Sequence, residues 1–300
     1  MPDGLDLGLE FVLTLQSTRN DLFDFLAQAF DWMGTDLFYL IVLPIIFWTI
    51  DRRLGTRLLF AVIVGGLLNT ILKNAFQLPR PGTVSDEVFV LVEAMGYGLP
   101  SGHVMVALVA WGYVALYARQ RWVTAVVIVY VLIMGWARMY AGVHFPLDVL
   151  AGALFGLLTL ALYAALIRFF GPIWPRFNLS AQIAIVVIAV LFSLVWVLTD
   201  VVGVTLVGLL LGTGLGVIIE SRWVHFIPTQ DTGKKIAMYL VGVIVIALVF
   251  FGLSELFDVL AQDGTAAATL LRLLRYGLVT LTAYCLWPWL AIRLSLADTQ

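Results

Sequence analysis

Eight residues of this chain have types and spacing that can do chemistry: Lys73 and Arg80, then Ser101, Gly102 and His103, then Arg138, His144 and Asp148. Lysine and arginine gather anionic oxygens, and an imidazole can attack or carry a proton at neutral pH. Two of the chain's three histidines, His103 and His144, fall in this set. His144 and Asp148 are four residues apart, so a helix starting there puts both on one face. A carboxylate so placed accepts a hydrogen bond from one ring N–H, fixes the tautomer and leaves the other nitrogen as nucleophile or base. The alternative is a purely structural His–Asp pair.

The other two clusters also carry two readings each. Pro79 and Pro81 flank Arg80, stop the preceding helix and hold Lys73 and Arg80 at a fixed separation. Taken singly, either cation can be an anchor that reaches toward headgroups. Pro100 and Ser101 are good helix starters, and Gly102 lets an anion approach the free amides of that N-terminus. A plain cap would need the serine but not Gly102 and His103. Together the parts are three cations, a helix-end amide nest and two imidazoles. Such a set can hold a phosphoryl group, attack it from one side and protonate the leaving oxygen on the other. No group of carboxylates or thiolates is spaced to hold a metal, so neither metal nor cofactor is expected.

The elements that must position these residues are membrane helices. The chain is 62% apolar and 12% charged, with a mean hydropathy of +1.02. A soluble domain carries roughly 25% charged residues, so the expected class is an all-α polytopic membrane protein. A net charge of -2 argues against a broad nucleic-acid surface. Cys285 is the single cysteine, which excludes an internal disulfide and reads as packing. The acidic start lacks the basic segment of a cleavable signal peptide. Residues 1–36 are amphipathic and suit either helices lying in the membrane interface or a cap packed on the bundle.

About nine spans are expected: 37–50, 57–76, 103–118, 122–140, 147–169, 181–199, 201–219, 236–253 and 268–292. Arg52, Arg53, Arg57, Arg119, Arg121, Arg168, Arg176, Arg222, Lys234, Lys235 and Arg293 gather in alternate loops. Asp200, Glu255, Asp258 and Asp263 occupy the others, while Arg272 and Arg275 run against the pattern. Basic loops favour the cytoplasmic side. All three chemical clusters therefore fall together on the opposite, extracytoplasmic face.

At these residues the chain resembles the type 2 phosphatidic acid phosphatase (PAP2) superfamily of membrane lipid phosphatases. That family's pattern is K-x6-R-P, P-S-G-H and S-R-x5-H-x3-D. Lys73 to Pro81, Pro100 to His103 and Arg138 to Asp148 match it in order, except that Ala137 stands where the family has serine. The resemblance implies a PAP2-type helical core over residues 37–170, and it implies that His144 is the nucleophile, forming a phosphohistidine and oriented by Asp148. It implies His103 as the general acid, and Lys73, Arg80, Ser101, Gly102 and Arg138 as holders of the phosphoryl oxygens. Ala137 removes one hydroxyl donor but no group that makes or breaks a bond.

Residues 181–300 lie outside the motifs and supply four additional C-terminal spans of unknown role. Gly208, Gly212 and Gly216, like Gly152 and Gly156, repeat at four-residue spacing and permit close helix packing in lipid. Arg222, His225, Lys234 and Lys235 read as cytoplasmic anchoring or as a headgroup or partner site. The expected function is a metal-independent membrane phosphatase acting on undecaprenyl diphosphate, phosphatidic acid or phosphatidylglycerophosphate. The expected partners are that phosphorylated lipid and the surrounding membrane lipids, with no nucleic acid; oligomeric state is left open. A lipid phosphotransferase with the same site, or a lipid transporter or scaffold with an accessory core, are the alternatives.

Overall fold

The structure, a computed structural model, describes residues 3–262 and 264–299, so Asp263 of the acidic loop and the termini at Met1 and Gln300 lie outside the described residues. It is mostly helical. The thirteen α-helices among the described residues are α1 (Asp3–Gln16), α2 (Asp21–Trp32), α3 (Asp36–Ile45), α4 (Arg52–Phe76), α5 (Pro81–Val84), α6 (Gly102–Ala118), α7 (Arg121–Tyr140), α8 (Pro146–Phe170), α9 (Leu179–Val197), α10 (Val201–Ile219), α11 (Thr232–Leu260), α12 (Ala266–Leu281) and α13 (Trp287–Arg293). Polar residues separate the apolar runs and cap the helices. Asn20, Asn178, Asp200, Asp231 and Thr265 each accept a bond from a first-turn amide, satisfying donors the helix itself cannot.

Six of these helices are long and apolar enough to cross a membrane: α4, α7, α8, α9, α10 with its continuation to Val224, and α11. The bent pair α2 and α3 makes a seventh candidate if it counts as one span. The expected nine is therefore reached only in part. The helix α6, with 17 residues, is shorter than that length, and α12 reaches α13 through a π turn over Thr282–Leu286. The protein is nonetheless an integral multi-pass membrane protein. Rows of exposed leucine and valine on α7 and α8, such as Val126, Leu132, Leu154 and Leu162, are what a lipid-facing surface requires.

The chain divides into two compact units. Residues 1–40 and 64–165 form the first, and 41–63 with 166–300 form the second. In the first unit α6 is the central helix, with Val104, Met105, Ala107, Val109 and Ala110 almost fully buried. Gly152 and Gly156 bring α8 against it, because a β-carbon at Gly152 would stand 2.8 Å from the Ser101 carbonyl oxygen, and one at Gly156 would stand 3.2 Å from that of Met105. The amphipathic helices α1 and α2 cap this unit. Ala27 is buried in a cluster with Ala137 and Tyr140 of α7. Gln16 donates to the carbonyls of Phe89 (2.7 Å) and Tyr140 (2.9 Å).

The second unit has its core around Trp48, Phe226, Met238, Trp287 and Ala291. Gly208 and Gly212 pack directly on the Leu273 and Gly277 carbonyls of α12, as the four-residue glycine spacing predicts. Cys285 is buried and unpaired. The basic loop after α10 is knitted internally: Arg52 pairs with Glu220, and Arg222 donates to Gln182 Oε1 at 2.9 Å. A two-residue antiparallel ladder, β1 (Phe226–Ile227) with β2 (Asp298–Thr299), is the small departure from an all-helical chain.

Candidate functional site

Every side chain of the three clusters lies in the first unit, and folding brings them to one buried place. The helix α4 stops at Gln77, which adopts a left-handed φ of 52° and bonds back to the Lys73 carbonyl at 2.9 Å. The chain then passes Pro79 and delivers Arg80. A long connection, the cis Leu99–Pro100 bond and Ser101 lead into α6. The turn between α7 and α8 carries His144, and the first turn of α8 carries Asp148. Ser101 N donates to the Asp148 carbonyl at 2.9 Å, which ties the start of α6 to the start of α8.

His144 is 1% exposed and Asp148 2%. The ring Nδ1 is 3.3 Å from Asp148 Oδ2, which also accepts from the Phe145 amide at 2.8 Å. The other ring nitrogen, Nε2, is 3.2 Å from Arg80 Nη1. A guanidinium only donates, so Nε2 must be the acceptor, and the proton sits on Nδ1 facing the carboxylate. The expected tautomer follows from these two contacts. Burial, and after it the charges of Arg138, Arg80 and Lys73, hold the His144 imidazole well below its ordinary range. The ring is neutral at physiological pH, with a lone pair turned toward cations.

The cations are fixed in different ways. Arg80 donates to three carbonyls, those of Gly96 (3.0 Å), Met95 (3.0 Å) and Val143 (2.8 Å), so it clamps two loops while presenting one edge to His144. Arg138 is 2% exposed and pairs through Nη1 with Asp31, and its Nε is buried with no hydrogen-bond partner. Lys73, on the last turn of α4, acts electrostatically on His103, His144 and Asp148. Ser101 is fully buried, and its Oγ makes neither the cap bond that its position permits nor any other. Leaving such a group unpaired costs about 1–3 kcal/mol, so Ser101 Oγ is available to a polar ligand.

Two readings from the sequence acquire a different physical basis. A β-carbon at Gly102 would stand 2.8 Å from Asn69 Oδ1, so glycine there accommodates a side chain of α4 as well as leaving the amides open. Asn69 also donates to the Pro100 carbonyl at 3.1 Å, holding the turn before α6. Asn69 was not among the candidates, and an isolated polar residue inside an apolar span is the signal that marks it. Asp31 was also missed as a site residue. Its carboxylate contacts Arg138, and His103 Nε2 lies 3.3 Å from the same oxygen and 3.1 Å from the Asp31 carbonyl. Ala137 is 1% exposed and packs with Ala27 and Tyr140, so a small apolar residue there fits the seat of α2.

Fold and site define a polytopic membrane protein with a buried, cation-lined His–Asp dyad. Residues 54–172 match the PAP2 superfamily, and residues 204–299 match the PAP2 superfamily phosphatase transmembrane extension. The chain belongs to the PAP2 superfamily. It is 28% identical over 175 residues to a probable sphingosine-1-phosphate phosphatase of Dictyostelium discoideum, covering 53% of this chain and 42% of that one. It is 30% identical over 144 residues to sphingosine-1-phosphate phosphatase 1 of Rattus norvegicus, covering 45% and 33%. The matched part is thus less than half of the length of either relative. Among solved structures, LpxE of Aquifex aeolicus aligns at 28% identity and a TM-score of 0.48, covering 53% of this chain and 95% of that one.

Proposed function

We propose that the protein is a lipid phosphatase that removes phosphate through a covalent phosphohistidine, without a metal. The observation that carries this reading is the His144 ring, neutral and buried, with Nδ1 on Asp148 and Nε2 turned toward Arg80. His144 Nε2 attacks phosphorus, and the bond from phosphorus to the lipid oxygen breaks as His103, held as imidazolium by the bound phosphate dianion, gives that oxygen a proton and becomes neutral. Asp148 stabilises the charge that develops on the attacked ring. His103 then takes a proton from water as its oxygen attacks phosphorus, the N–P bond breaks, and inorganic phosphate leaves with His144 restored. Lys73, Arg80, Arg138, Ser101 and the amide nest at Gly102 hold the phosphoryl oxygens, whose charge is greatest at the transition state. A site so crowded with cations repels a metal ion.

The substrate is a lipid phosphomonoester or diphosphate presented from the extracytoplasmic leaflet. The names of the relatives add sphingoid-base phosphates to undecaprenyl diphosphate, phosphatidic acid and phosphatidylglycerophosphate as compounds to assay. The test is phosphate release by detergent-purified protein across such a panel, beside a His144→Ala variant. Release from at least one lipid phosphate by the wild type alone is the expected result. Equal release by both proteins would rule the mechanism out.

A further inference from the structure

The cap helix α2 ends inside the candidate site. Its carboxylate at Asp31 engages Arg138 Nη1, and His103 Nε2 donates into the same residue, at 3.1 Å to the carbonyl and 3.3 Å to Oδ1. One anionic oxygen therefore lies on both a phosphate-holding cation and the proposed general acid. That is the position a phosphoryl oxygen would take. The placement is built into the backbone: the bend between α2 and α3 is 62°, and Gly34 in that bend lies so close under the His103 ring that any side chain would collide with it. The start of α2 is tied down, since Asp24 accepts from Arg19 at 2.7 Å and from Tyr140 Oη at 2.6 Å. Arg138 Nε stays buried without a partner although Nη1 of the same guanidinium holds Asp31, so a carboxylate satisfies less of this cation than a phosphoryl group with three oxygens would.

We propose that the Asp31 carboxylate is an intramolecular stand-in for the substrate's phosphoryl oxygen, which the anionic headgroup must displace from Arg138 and His103 before reaction. The inference rests on the phosphatase reading of the same site. Two anions on the same guanidinium N–H repel each other, so Asp31 and a bound phosphate dianion compete for Arg138 Nη1. With Arg138 Nη1 and His103 Nε2 both engaged by Asp31, its carboxylate must leave these two donors for a phosphoryl oxygen to take them. Asp31 thereby sets the affinity threshold for headgroups, favouring those with enough charge to compete. The alternative, that Asp31 positions His103 as Asp148 does His144, predicts the opposite effect of removing its charge.

The experiment compares full-length wild type and Asp31→Asn in detergent. Expected for Asp31→Asn is a fall of about 10-fold in KM for a short-chain lipid phosphate and in the Kd for inorganic phosphate, the worth of one charge-assisted hydrogen bond, with kcat held or raised. The Kd is read by thermal shift, which needs no turnover. Tighter phosphate binding in the variant with no lipid phosphate hydrolysed by either protein would sink the phosphatase reading and leave this inference standing. Turnover by both with unchanged KM and Kd, or a drop in kcat at constant KM with a displaced pH profile, overturns the inference and keeps the phosphatase. No phosphate-dependent shift in either protein overturns it too. Should Asp31→Asn fail to fold, amide hydrogen exchange of wild-type residues 27–34 decides: orthovanadate should speed it, and unchanged or slower exchange refutes the displacement.

Discussion

At the scale of single residues the proposed chemistry depends on which nitrogen of His144 carries the proton. Asp148→Asn preserves shape but offers the ring an amide in place of a carboxylate, so the tautomer and the developing charge both lose support. The expected loss is roughly 10²–10⁴-fold in kcat, the usual worth of such acid–base groups, with KM little changed in a phosphate-release assay. The pH dependence has a definite sign. Burial and the neighbouring cations keep the His144 imidazole below its ordinary 6.5, so the acid-side loss of kcat/KM begins well below that value. Removing one of those charges in Arg138→Gln makes protonation easier and moves the acid limb of the residual activity to higher pH. Linkage runs the same way. The unfolded chain takes up a proton near pH 6.5 that folded His144 refuses, so this residue's contribution to stability is intact above that pH and declines below it.

Helix packing decides whether these residues meet. The approach of α8 to α6 rests on Gly152, where a β-carbon would sit 2.8 Å from the Ser101 carbonyl oxygen and 3.3 Å from Ser101 Cβ. That contact sets the spacing between the turn bearing His144 and the turn bearing His103. Gly152→Val should push the two helices apart, costing about 1–3 kcal/mol of stability as overpacking does. It should also lower kcat in the fraction that still folds, although residue 152 carries no chemistry. Thermal unfolding in detergent, measured beside turnover, checks both effects. The four-residue glycine spacing was legible because small residues on one face are what close helices need. Which partner they meet was not: Gly152 faces α6, whereas Gly212 faces Gly277 of α12.

For the whole molecule the geometric quantity that matters is sidedness. The loops bearing arginine and lysine alternate with acidic ones, and the first unit carries both kinds. Asp86 lies in the exposed loop after α5, on the side of the site, and Gln120 lies in the exposed turn between α6 and α7. In a Cys285→Ser background, an impermeant maleimide added to intact cells should label Asp86→Cys and spare Gln120→Cys until the membrane is opened. The reverse pattern would place the site in the cytoplasm.

The helical, membrane-embedded character and the candidate residues behind the proposed chemistry are written in the order of residues alone. Both rest on short-range physics: an i, i+4 His–Asp pair, prolines that halt a helix, apolar runs of membrane length. The eight candidate residues were legible for that reason, since each motif is local. Three-dimensional packing was needed to establish that Arg80 spends most of its donors on backbone carbonyls, that Asn69 rather than an anion alone explains Gly102, and that Asp31 reaches Arg138 and His103. Those contacts join residues 15 to 107 positions apart. Nothing in the local spacing of charges encodes which distant carboxylate a buried guanidinium will find, because that choice is made by how α2 seats on the bundle.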